Sequence, residues 1–75
     1  MNLGKLAQIL KNRLVCASEY EIYQSRNGWY LITIFKSGYF HEQELENFHT
    51  DITELENFID SFKQEHNISI KIVRF

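Results

Sequence analysis

Between Trp29 and Phe35 the chain reads Trp-Tyr-Leu-Ile-Thr-Ile-Phe, its longest run of apolar, β-branched and aromatic residues. A glycine-ended triplet stands on each side, Arg26-Asn27-Gly28 before it and Lys36-Ser37-Gly38 after it. Glycine takes φ > 0 without steric cost, so each triplet reads as a hairpin loop. The stretch is therefore expected to be the central strand of an antiparallel sheet, with a neighbour on each side.

The flanking segments supply those neighbours. Glu19 to Ser25 reads as the first strand and Tyr39 to about Gln43 as the third. With a two-residue Asn27-Gly28 loop, Ile22 would sit opposite Thr33. With Arg26-Asn27-Gly28 as a three-residue loop, Ile22 faces Ile32, Tyr20 faces Ile34 and Gln24 faces Tyr30. The second register gathers the best hydrophobic residues on one face, and a slip of one residue would scatter them. It predicts a core face of Tyr20, Ile22, Tyr30, Ile32 and Ile34. The reverse face then holds Tyr23, Trp29, Leu31, Thr33 and Phe35. Phe40 opposes Ile34, and Tyr39 opposes Phe35. Either a helix covers each face, or both helices cover one face and the other meets a partner.

Two amphipathic segments complete the order. Leu3, Leu6, Ala7, Leu10 and Leu14 recur at helical spacing behind Asn2, a suitable N-cap. Ile52, Leu55, Phe58, Ile59 and Phe62 do the same behind Asp51, with Glu54 three residues later in a capping-box arrangement. Asn67 is a good left-handed stop. Ile68 to Phe75 alternates as a last strand. Residues 44–50 read as a loop or a short helical turn. The pentapeptide Glu44-Leu45-Glu46-Asn47-Phe48 recurs as Glu54-Leu55-Glu56-Asn57-Phe58, but two copies are too few for a stacking repeat.

The expected fold class is thus α+β, with order α-β-β-β-α-β. Residues 1–75 form one small compact domain, a mostly antiparallel sheet of three or four strands packed with two helices. Strand order 3-2-1-4 follows, because the second strand already has both its neighbours.

Composition narrows the function. The one cysteine, Cys16, cannot form an internal disulfide, which fits a reducing cytoplasm. No apolar run approaches the roughly 20 residues of a membrane helix. Three glycines and no Walker or GxGxxG pattern argue against phosphate loops. His41-Glu42-Gln43-Glu44-Leu45 begins like HExxH but ends in leucine, and nothing pairs His41 and His49 with a third ligand. No serine or cysteine triad is apparent. No cofactor, metal or catalytic activity is expected; a small accessory subunit of an enzyme is the remaining route to catalysis.

Charge is uneven. Residues 1–41 carry +3, residues 42–65 carry −7, and residues 66–75 carry +2. The order α-β-β-β-α is shared with double-stranded-RNA-binding domains, which grip phosphate through lysines where the second helix starts. Here that position reads Thr50-Asp51-Ile52-Thr53-Glu54, which repels phosphate, so nucleic acid is a disfavoured partner and the chain is not assigned to that family. The expected function is a cytoplasmic protein–protein interaction module. Its partner is another protein, of basic character, or a second copy in a homodimer. The candidate binding residues are the aromatic face, Tyr23, Trp29, Leu31, Phe35 and Tyr39, and the acidic segment, Glu42, Glu44, Glu46, Asp51, Glu54, Glu56 and Asp60. The alternative is an acidic inhibitor or nucleic-acid mimic of the kind phages carry, by analogy of size and charge alone.

Overall fold

A computed structural model describes residues 1–74. The elements run α1 (Leu3–Arg13), β1 (Ala17–Ser25), β2 (Gly28–Phe35), β3 (Phe40–Leu45), α2 (Ile52–His66) and β4 (Ser69–Val73). The sheet order is β3-β2-β1-β4, with β4 parallel to β1 and the other pairs antiparallel. This is the expected α+β architecture. The last strand is shorter than the expected Ile68–Phe75, and Phe75 lies outside the described residues.

The helix caps form where side chains can satisfy free amides. Asn2 Oδ1 accepts from the Lys5 amide at 2.9 Å, and Asp51 Oδ1 accepts from the Thr53 amide at 3.1 Å. Asn67 ends α2 in the left-handed region at φ +51.

The β1–β2 register differs from both expected alternatives. Ser25 pairs with Gly28, Ile22 with Leu31 and Tyr20 with Thr33, so the loop is Arg26-Asn27. Serine first and glycine fourth is the arrangement that an ordinary four-residue turn favours. Ser25 Oγ accepts from the Asn27 amide at 3.2 Å, and Gly28 carries the positive φ, +129. One residue of slip reverses which side of β2 faces inward. Trp29, Leu31 and Thr33 join Tyr20 and Ile22 in the core, while Tyr30, Ile32 and Ile34 turn to the other face.

The β2–β3 register is the expected one, with Ile34 beside Phe40. The strand continues past Gln43 to Leu45, which is buried opposite Trp29. The chain then turns through Glu46 and Asn47, the latter at φ +54, and returns Phe48 to the core. Phe48 meets the Trp29 ring edge-on, centroids 6.0 Å apart.

Both helices pack on one face. Leu6 and Leu10 of α1, and Leu55, Ile59 and Phe62 of α2, form one cluster with Tyr20, Ile22, Trp29, Leu31, Leu45 and Ile70. Two of the polar groups taken into this layer are satisfied, whereas Gln43 Oε1, on the same face beside Leu31, is buried without a partner among the described residues. The Tyr20 hydroxyl donates to the Leu10 carbonyl at 2.6 Å, and Arg13 Nη1 donates to Thr33 Oγ1 at 2.9 Å. No helix of the described residues is long and apolar enough to cross a membrane.

Candidate binding surface

With both helices on one side, the opposite side of the sheet has no covering element among the described residues. Strand alternation and register order its residues in three rows across β3, β2, β1 and β4. The first is Phe40, Ile34, Glu19 and Ser69; the second is Glu42, Ile32, Glu21 and Lys71; the third is Glu44, Tyr30, Tyr23 and Val73. Apolar groups trace a continuous stripe through these rows. It starts at Phe40, 70% exposed, runs down β2 through Ile34, Ile32 and Tyr30, and crosses to Tyr23 and Val73. Carboxylates border it on both sides, Glu42 and Glu44 from β3, and Glu19 and Glu21 from β1. Among the described residues, Lys71 is the one cation in these rows.

The lower end of the stripe is organised by side-chain contacts. The Tyr23 and Tyr30 rings stack with centroids 5.1 Å apart and planes 14° apart. The Tyr23 hydroxyl reaches across β2 to donate to Glu42 Oε2 at 2.6 Å. That hydrogen bond is the main reason the Tyr23 hydroxyl is pushed up to about 12, with desolvation and the Glu42 charge adding to it. The carboxylate therefore holds the phenol protonated and fixes the ring pair.

The candidate residues read from sequence are distributed differently from expectation. Tyr23, Glu42 and Glu44 lie on the open face. Trp29, at 6% exposure, and Leu31, fully buried, lie beneath the helices and cannot dock a partner. Phe35 is half-buried at the end of β2, paired with buried Ala17. Tyr39 is 78% exposed in the β2–β3 turn, held where the Phe35 amide donates to the Tyr39 carbonyl at 2.8 Å. Glu46 occupies the turn after β3. Asp51 caps α2, and Glu54, Glu56 and Asp60 are exposed along that helix, on the opposite side of the sheet from Glu42 and Glu44. The acidic segment of the chain is thus two surfaces, not one.

Tyr30, Ile32, Ile34, Phe40, Glu19, Glu21 and Val73 also form this surface, although the sequence pattern points to Tyr30, Ile32 and Ile34 as core. A signal for them existed. The β2–β3 register alone sets Glu42 beside Ile32 and Glu44 beside Tyr30, and two carboxylates in adjacent rows mark that side as solvent-facing.

His41 pairs with Thr33, whereas His49 follows Phe48, which packs on Trp29 four residues along β2; the two histidines stand at opposite ends of β3. Among the described residues no three His, Cys, Asp or Glu side chains gather as a metal site requires. A groove at the α2–β4 junction is lined by Lys63, Gln64, Asn67, Ile68 and Ser69, a set with no general base paired to an acid. Comparison with known protein families, with curated proteins and with solved structures finds no match to this chain.

Proposed function

We propose that this protein is a non-enzymatic, cytoplasmic interaction module that docks another protein on the open face of its sheet. The observation that carries the reading is the placement of both helices on one face, which leaves half-buried Tyr23, Tyr30, Ile32 and Ile34 and exposed Phe40 as a continuous apolar stripe without a cover among the described residues. Contiguous apolar patches with polar rims are characteristic of interaction sites. The four bordering glutamates give the partner a sign. They steer a basic surface toward the stripe and oppose nucleic acid, anionic membrane and a second copy of the same face. A lone cysteine without a disulfide supports the cytoplasmic assignment.

A second reading keeps the acidic-inhibitor function and assigns it to α2. Glu54, Glu56 and Asp60 are exposed, and no ion pair among the described residues neutralises them. It draws on fewer charges than the sequence suggests, because Glu42 and Glu44 are on the other side of the molecule.

A tagged pull-down from the source lysate separates the two. The bait would be wild type, the open-face variant Ile32→Glu with Phe40→Glu, and the helix variant Glu54→Lys with Glu56→Lys. The expected result is a protein retained by wild type and the helix variant, lost from the open-face variant, and weakened by salt. The reverse pattern would transfer the site to α2 and favour the inhibitor reading.

A further inference from the structure

The shape and chemistry of the open face restrict what can sit on it. The stripe follows β2, an interior strand whose backbone groups are already paired on both sides. A visitor here meets side chains alone. An extended segment laid on this surface would press its own amides and carbonyls against isoleucine and tyrosine without partners, and each unsatisfied group would carry its full desolvation penalty. A helix bonds its backbone internally and presents only side chains. It would also convert a two-layer domain into a sheet covered on both faces, the usual solution for a sheet with two apolar sides.

The dimensions agree. From Ile34 to Tyr30 the stripe runs about 14 Å along β2, at about 3.4 Å per residue. From Phe40 to Val73 it also crosses three strand spacings of about 4.8 Å, giving about 20 Å corner to corner. A helix covers that length in about 13 residues, at 1.5 Å each, and meets it with an apolar ridge at i, i+4, i+7 and i+11. Its flanks then pass over Glu42 and Glu44 on one side and over Glu19 and Glu21 on the other.

We propose that the open face is the seat of an amphipathic helix from a partner protein, about three to four turns long, whose apolar ridge is bordered on both sides by Lys or Arg. This rests on the reading that the open face docks a protein, and it specifies the partner's form and charge. A second copy of the same face is the wrong occupant, since it would set the four carboxylates of each copy against each other with one lysine per copy to offset them.

The test is an NMR titration of the isotopically labelled protein with three synthetic peptides. The first is a helix-forming peptide of about 14 residues with leucine at the four ridge positions and lysine on both flanks. The second carries glutamate in place of the lysines. The third has the composition of the first with the ridge scrambled and a central proline. The proposal expects the first peptide to shift the methyl signals of Ile32 and Ile34 and the amides of Tyr23 and Tyr30. It expects the other two peptides, and the protein variant Ile32→Glu, to bind roughly tenfold more weakly or worse, as loss of a central anchor does. Should Ile32→Glu fail to fold, Phe40→Glu takes its place, because that ring is already 70% exposed. Equal binding of the scrambled peptide on the open face would overturn the helical partner and leave open-face docking standing. Shifts confined to the outer side of α2, or none with any peptide, would overturn both.

Discussion

Tyr20 lies wholly within the helix-covered layer and directs its hydroxyl to the Leu10 carbonyl. Burial pushes that hydroxyl up to about 12 from 10.0, with Arg13 acting in the opposite direction. The neutral phenol is therefore the form the fold favours. Its contribution is complete below pH about 10, the unfolded value, and is lost as pH rises through about 12. Tyr20→Phe should cost about 1 kcal/mol at neutral pH, because the Leu10 carbonyl loses its partner in a dry site. The variant should also lose stability less steeply between pH 10 and 12 than wild type. Urea denaturation at a series of pH values checks both; parallel pH profiles would show that Tyr20 ionisation is not coupled to folding. Trp29 tests the inward face of β2. At 6% exposure and against Phe48, its replacement by alanine should cost roughly 3–5 kcal/mol, comparable with the whole stability of a domain this small. A Trp29→Ala protein that unfolds at the wild-type urea midpoint would contradict the observed register.

At the scale of elements, what the sequence made legible depended on how many features agreed. Both helices were readable because a cap and an apolar stripe coincide, and the second has a stop residue as well; Asp51, Leu55 to Phe62 and Asn67 all point to one helix. Strand order was readable because the two hairpins already give β2 both its neighbours, which leaves β4 the place beside β1. The inward side of β2 was not, because Trp29, Leu31 and Thr33 alternate with Tyr30, Ile32 and Ile34, and both sets are credible core. Alternation has no power on a strand that is apolar on both sides, and the turn decides instead. The repeated pentapeptide makes the same point. Glu44 to Phe48 finishes a strand and turns, whereas Glu54 to Phe58 is helix, so identical local preference is overridden by what each copy packs against. Because the turn sets the register, Gly28 is the residue to test. At φ +129 it holds a conformation that side chains rarely adopt, yet nothing stands within 4 Å of where a Cβ would be. Gly28→Ala should therefore cost about 1–3 kcal/mol through the backbone alone. Thermal unfolding measures the loss. An unchanged midpoint would mean that the hairpin tolerates another turn, and so another register.

For the whole molecule, the sheet acts as a partition. Residues 42–65 carry eight acidic side chains, and the sheet divides them, so that Glu42 and Glu44 border the apolar stripe while Glu54, Glu56 and Asp60 face away on α2. The open face then combines two opposed tendencies. Its apolar stripe favours burial against any complementary surface, including a copy of itself, and its four carboxylates oppose that copy. Removing the charge while keeping the shape should expose the first tendency. A variant with Glu19, Glu21, Glu42 and Glu44 all changed to glutamine retains side-chain volume, and the amide introduced at position 42 still offers an oxygen to the Tyr23 hydroxyl. It should form dimers in sedimentation velocity at concentrations where wild type is monomeric. Added salt should also push wild type toward dimer, because it screens the repulsion. The same salt should weaken binding of a basic helix, because it screens an attraction. One set of carboxylates thus predicts two responses to ionic strength with opposite signs. If the glutamine variant stays monomeric up to millimolar concentration, the stripe is too small or too broken to drive association, and the face would need another account.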